Sequence, residues 1–281
     1  MGISEDVAKY INDFEYVAGE TPLSSVQAPF IGLAIYLTVF FSLGKIYGTV
    51  GRKETDETKI AVAKARTQFY KPFMIAHNVF LSVGSLAMLL GLLHGYKQQV
   101  DVEPTPSSAF VRIVCDSGQT LFGKLQFWLW IFYLSKFYEF LDTVFLCLTM
   151  RRVIPLHWIH HVLTLLVAWT GLETKHTVMG LACVMNTFIH VIMYGYYAYK
   201  LINPSFVWSF KQHFTNLQML QFVINLVGLG MWTYMDIFLE DDCTGEMWVI
   251  YVVLFVMVVF LGLFSSFAKS AYKTKAPSAK E

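Results

Sequence analysis

Long apolar stretches separated by short polar connections dominate the chain. A helix needs about 20 mostly apolar residues to cross a bilayer. Stretches of that kind fall at 29–50, 73–96, 121–149, 157–171, 178–200, 210–238 and 247–267. The pattern predicts an all-α, polytopic membrane fold with seven transmembrane helices. The fourth stretch is short, and polar residues interrupt both it and the fifth. No internal repeat and no low-complexity tract breaks the series. The expected organisation is an N-terminal segment (1–28), one seven-helix membrane domain (29–267) and a basic tail (268–281).

Composition agrees with the pattern. Charged residues make up 15% and hydrophobic residues 56%, against about 25% charged in an ordinary soluble domain. A net charge of +1 singles out no acidic partner, and no nucleic-acid partner is expected. The placement of the charges says more. Arg52, Lys53, Lys59, Lys64 and Arg66 share one connection, Arg151 and Arg152 the next on that side, Lys200 and Lys211 a third, and Lys269, Lys273, Lys275 and Lys280 the tail. Basic connections stay on the cytosolic side. The N-terminus is therefore expected in a lumen and the C-terminus in the cytosol. The N-terminal segment is acidic, lacks the basic and apolar regions of a cleavable signal, and fits a myristoylation pattern poorly because Glu5 and Asp6 fill the wrong positions. The first span would then direct insertion. The only asparagine with a serine two residues on, Asn203, is followed by Pro204, which excludes glycosylation. Of four cysteines, Cys147 and Cys183 fall within spans, while Cys115 and Cys243 fall in connections on the lumenal side. A lumen permits disulfides, so a Cys115–Cys243 bridge is expected.

Ionisable groups inside spans are costly and mark functional sites. Here polar side chains gather in four places. Lys136, Glu139 and Asp142 recur every third residue, close enough for Lys136 and Glu139 to pair along one helix. Asp142 is left needing a partner elsewhere, for which a histidine on a neighbouring helix is the natural candidate. His157, His160 and His161 share one helix face. Asn186, His190 and Tyr194 form a third stripe, and Gln218, Gln221 and Asn225 a fourth. Each has a plain structural reading beside the functional one: an interhelical ion pair for Lys136–Glu139, a satisfied core histidine for His190, interhelical hydrogen-bond glue for the amides. All four clusters lie toward the cytosolic ends of their helices. That coincidence predicts a polar chamber open to the cytosol, roofed by apolar lumenal halves. The 24 phenylalanines and 12 methionines suit a tunnel for an acyl chain as readily as they suit lipid-facing positions.

Such a histidine cluster can hold a metal or perform imidazole chemistry. Histidine-box membrane oxidoreductases of the desaturase and hydroxylase type have a similar composition but need several boxes. Here there is one, with His77, His94, His176 and His213 scattered singly. A site built from His157, His160, His161 and His190 remains open by count. The other reading uses neutral imidazole, which desolvation favours and which is a competent acyl acceptor.

In order and spacing, KFYEFLDTVF, HWIHH, NTFIHVIMYGYY and TNLQMLQF resemble the ELO family of very-long-chain fatty acid elongases, in detail over about 136–222. The resemblance implies an acyltransferase of the endoplasmic reticulum membrane that condenses a fatty acyl-CoA with malonyl-CoA to a 3-oxoacyl-CoA, with no resident metal or redox cofactor. It implies six helices in an inverted barrel around an acyl tunnel, with the first helix outside. By position, His160 would take the acyl group, His190 would assist, and His157 and His161 would orient the site. Asp142 and Asn186, with Glu139 and Lys136, would fix them. Gln218, Gln221 and Tyr194 would meet the thioester region, and Arg152, Lys211 and Lys269 the CoA phosphates. Other enzymes of the elongation cycle and further copies of the chain are the partners it would suggest, beside the lipid bilayer. Ile159 departs from the aromatic many members carry, and the tail has no clean terminal dilysine pair.

Overall fold

A computed structural model describes residues 3–49, 56–239 and 242–272. Among these residues every regular element is helical: α1 (Ile3–Asp13), α2 (Gln27–Tyr47), α3 (Glu57–Val100), α4 (Pro106–Val114), α5 (Thr120–Tyr138), α6 (Phe140–Leu148), α7 (Pro155–Glu173), α8 (Val178–Ile202), α9 (Lys211–Tyr234) with a π-turn (Met235–Leu239), and α10 (Met247–Tyr272). Five are long and apolar enough to cross a membrane: α2, α3, α8, α9 with its π-turn, and α10. This fits a polytopic membrane protein.

Several boundaries differ from the sequence expectation. The second helix starts at Glu57, sixteen residues before position 73, and runs for 44 residues. The basic stretch expected as a connection is its first four turns. Asp56 caps it, its Oδ1 accepting from the backbone N–H groups of Thr58 (2.9 Å) and Lys59 (3.4 Å), and the alanines and lysines that follow are strong helix formers. Pro72 lies inside without ending the helix. At 1.5 Å per residue α3 is about 66 Å long, roughly twice the thickness of the hydrocarbon layer.

The third stretch is broken rather than continuous. Between α5 and α6 the chain takes one tight step at Glu139 (φ −60°, ψ −18°). Ser135 Oγ donates to the Phe132 carbonyl at 2.7 Å and to Glu139 Oε1 at 3.1 Å, a back-bonding pattern that bends helices. Two short helices, α1 and α4, also stand where irregular polar segments were expected. Thr105 caps α4, accepting from Ser108 N–H at 3.1 Å, with Pro106 at its first position. The last helix extends through 268–272 of the expected tail. Lys273, Lys275 and Lys280, like Arg52 and Lys53, lie outside the described residues.

Six helices pack in the order α3–α8–α9–α10–α7–α5, which returns to α3, and α8 also touches α5 and α7. α2 stands apart from that circuit, against α6 and α7. Leu92, Leu125, Leu129, Tyr133, Leu165 and Leu172 join α3, α5 and α7 in the largest apolar cluster. Phe222, Met257, Phe260 and Phe264 join α9 to α10. Phe40, Cys147 and Val153 seat α2 on α6.

One end of the bundle is tied by the Cys115–Cys243 disulfide, which spans 128 positions. Buried Asp116 beside it receives the backbone N–H groups of Leu121 and Phe122, each at 2.8 Å, and Thr120 Oγ1 at 3.1 Å. It thereby anchors the start of α5, where exposed N–H groups favour an anion. Thr244 and Thr177 bind the Cys115 carbonyl in the same knot. The four polar clusters lie toward the opposite end.

Candidate active site

Pro155 opens α7 directly after Ile154, which is extended (ψ 154°). Proline's fixed φ suits the first helical position. The helix therefore begins two residues before His157 and sets His157, His160 and His161 in its first two turns. His157 and His161 have ring centroids 4.6 Å apart, and His160 and His161 5.7 Å. His160 turns its ring toward Phe260 of α10, at 5.1 Å.

Across from α7, Asp142 of α6 is held by two helices. His77 Nε2 of α3 lies 2.9 Å from its Oδ1, and Tyr194 Oη of α8 donates to Oδ2 at 2.7 Å. His161 Nε2 approaches the same Oδ2 at 4.0 Å. The histidine that Asp142 required is thus His77, a residue the sequence placed among scattered single histidines. Its adjacency to Asn78 in an apolar stretch was the signal that could have found it. Lys136 Nζ donates to Glu139 Oε1 at 2.7 Å and to Asn186 Oδ1 at 3.3 Å. His190 Nδ1 lies 3.7 Å from Glu139 Oε1. Lys136 and Glu139 are each only 1% exposed, so the pair is compensated internally rather than by water.

These groups wall one cavity of about 740 Å³, lined by His157, His160, His161, His190, Glu139, Asp142, Asn186 and Tyr194. Its rim carries Lys71, Arg151, Arg152 and Lys200. A second, apolar cavity of about 90 Å³ runs on between Phe132, Ala168, Met179, Leu229 and Val253 toward His176 near the disulfide. His160, Asn186 and Gln221 line both. His160 and His190 therefore face the same hollow. Gln218 lines the larger cavity, with Nε2 3.9 Å from Met193 Sδ. Gln221 Oε1 is buried without a partner among the described residues. Lys211 and Lys269 are exposed and belong to neither lining. Lys71 and Arg151 stand at the rim instead. Arg151 was in view beside Arg152, but Lys71 was concealed in a stretch read as a connection.

In the connection between α7 and α8, burial of His176 between Trp232 and Gly245 pushes its pKa down to about 4. Among the described residues, no three His, Cys, Asp or Glu side chains are grouped to share a metal ion.

The fold and the hollow define a polytopic helical membrane protein with a histidine-lined cavity that shares His160, Asn186 and Gln221 with a smaller apolar one. The chain belongs to the ELO (GNS1/SUR4) family, whose model matches residues 21–280. It is 32% identical to fatty acid elongase sre1 of Dictyostelium discoideum over 95% of this chain and 92% of that one. It is 30% identical to fatty acid elongase A of the same organism over 99% and 95%. With very long chain fatty acid elongase 7 of Rattus norvegicus it shares 31% identity over 72% of each.

Proposed function

We propose that this chain is the condensing enzyme of fatty acid elongation, an acyltransferase of the 3-oxoacyl-CoA synthase type. A ring nitrogen of His160 attacks the thioester of a fatty acyl-CoA. The C–N bond forms, the C–S bond breaks, and CoA leaves as the thiol with a proton. Malonyl-CoA then loses CO2. The enolate left behind attacks the acyl carbon, forming the new C–C bond and releasing His160. The sum takes up one proton and gives 3-oxoacyl-CoA, CO2 and CoA. Splitting the condensation into two covalent steps lowers each barrier, and a water-poor pocket protects the enolate. His190, fixed near Glu139, moves protons at the reacting carbon. His157 and His161 orient the site, with Asp142 and Asn186 holding the imidazoles in place. Gln218, Gln221 and Tyr194 serve the thioester region. No resident metal or redox cofactor enters this scheme.

The observation that carries the reading is the placement of His160 at the junction of a polar chamber and an apolar channel. A thioester carbon needs its polar CoA on one side of the nucleophile and its alkyl chain on the other. The closed order of six helices supports a barrel around that channel with α2 outside it, and α5–α6 and α7 complete seven spans. The basic rim suits CoA phosphates. The names of the relatives support fatty acid elongation as the process. In this reading the basic end faces the cytosol, the disulfide end the lumen of the endoplasmic reticulum, and the elongation cycle's other enzymes act on the product.

The test is incubation of the purified protein with a panel of acyl-CoAs and labelled malonyl-CoA, following CO2 release and product mass. The expected product is two carbons longer. His160→Ala is expected to form no acyl-protein adduct, and undiminished turnover in that variant overturns the nucleophile assignment.

A further inference from the structure

Among the described residues, Tyr36 is the one feature of α2 that reaches toward the histidine cluster by hydrogen bonds. It is 4% exposed and stacks on Phe140 with centroids 4.1 Å apart. Its Oη lies 2.9 Å from Thr143 Oγ1, and Thr143 Oγ1 lies 2.9 Å from His157 Nε2. Three groups and two links fix the direction of the protons. Tyr36 owns one proton, and Thr143 is its only hydrogen-bond partner among the described residues. Thr143 owns one proton and can accept two. If Tyr36 donates to Thr143 and Thr143 donates to His157 Nε2, every proton in the chain has an acceptor. If Nε2 carries a proton, it must donate to Thr143. Thr143 then either donates to Tyr36, leaving the tyrosine proton unpaired, or accepts from both and leaves its own unpaired. A buried unpaired proton is the disfavoured outcome in both cases.

The geometry points to a proton-ordered chain, Tyr36 to Thr143 to His157 Nε2, that holds His157 in its Nδ1–H tautomer. Thr143 is thus a positioning residue, and Tyr36, on a helix outside the six-helix circuit, completes the chain behind it. Nε2 is occupied as an acceptor, so Nδ1–H is the donor that His157 offers to the cavity it lines. His157 packs on His161, which adjoins His160, so the ring held by Thr143 is part of the cluster's wall. Only the consequence for turnover rests on the elongase reading; the tautomer does not.

The experiment labels the histidine rings of the full-length protein with nitrogen-15 in lipid nanodiscs and reads the tautomer from the ring nitrogen shifts. The His157 signals are assigned by their loss in His157→Gln. Wild type and Thr143→Ser, which keeps the hydroxyl, are expected to show Nδ1–H at His157. Tyr36→Phe keeps the ring stack and is expected to keep Nδ1–H, because the Thr143 proton still finds its acceptor in Nε2. Thr143→Val removes that donor and is expected to shift the tautomer ratio by about tenfold toward Nε2–H. Condensation kcat is expected to fall by about the same factor in Thr143→Val and to recover in Thr143→Ser. An Nε2–H signal in the wild type, or a His157 pattern unmoved by Thr143→Val, overturns the proposal. Absence of condensation in a wild type that shows Nδ1–H removes the elongase reading and leaves the proton order standing.

Discussion

Truncating one partner of the Lys136–Glu139 pair is the sharpest test of how the interior is balanced. Both side chains are 1% exposed, and the N···O distance is 2.7 Å. Two opposing terms are in play. Desolvation of two charges disfavours the pair, and their mutual attraction in a low dielectric offsets most of it. Removing one partner discards the attraction but keeps the desolvation of the other. Lys136→Met leaves Glu139 with Ser135 as its remaining donor (3.1 Å) and Asn186 Oδ1 without Lys136. We expect it to cost about 3–5 kcal/mol. Glu139→Gln is milder, because Lys136 keeps Asn186 and the face of Phe132 at 4.0 Å; about 2–3 kcal/mol is expected by the same reasoning. The double variant Lys136→Met/Glu139→Gln is expected to lie within about 2 kcal/mol of wild type, giving a coupling of at least about 3 kcal/mol. The assay is thermal unfolding in detergent followed by tryptophan fluorescence, run as a double-mutant cycle. At about 2–4 °C per kcal/mol, Lys136→Met should lower Tm by roughly 10 °C. A single variant indistinguishable from wild type, or strictly additive losses, would refute the reasoning.

Three further outcomes are expected. Replacing both Cys115 and Cys243 by alanine should cost about 2–5 kcal/mol, visible as a lower unfolding midpoint that matches reduced wild type. Asp116→Ala removes three hydrogen bonds at the start of α5 and should cost about 1–3 kcal/mol, measured by the same unfolding assay, while Asp116→Asn should retain part of it. Because burial holds His176 at about 4 against an ordinary 6.5, the unfolded chain binds this proton at a pH where the folded one does not. Its contribution is complete above pH 6.5 and is lost as pH falls toward 4, at most about 3 kcal/mol; His176→Phe should flatten stability against pH in that window.

The apolar stretches disclosed the helical class and located every helix of the bundle to within a few turns. They did so because lipid-spanning segments must satisfy their backbone internally. What they concealed follows a common cause. The first four turns of α3 are charged, and a charged helix outside the apolar layer carries no hydropathy signal, so its capping by Asp56 went unread. The step at Glu139 depends on Ser135 and Lys136 turning back onto the preceding turn, a tertiary balance no periodicity encodes. At the site, residues four apart on one helix were legible, which is why His157, His160 and His161 stand together and why Asn186, His190 and Tyr194 share a wall with them. Partners from other helices were not. His77 meets Asp142, and Tyr36 meets Thr143, only after α3 and α2 dock. The Cys115–Cys243 pairing was legible because the alternation of charged connections left two cysteines on one side. Lys211 and Lys269 were chosen for their charge and their end of the bundle, but sequence carries no information on which surface lysines border an opening.

The long third helix has a further consequence. Lys71 at the rim, His77 against Asp142 and Tyr96 against Gly180 ride on a single helix. Each residue advances that helix by about 100° and 1.5 Å. A one-residue insertion or deletion anywhere from 78 to 95 would swing Lys71 and His77 by over a quarter turn relative to Tyr96 and the segments beyond it. Change in chain length should therefore be tolerated among homologues in the stretch ahead of Arg66, before α3 meets the Leu148 carbonyl and the cavity wall at Thr67. Within the body of the helix, spacing should be kept even where the residues themselves drift.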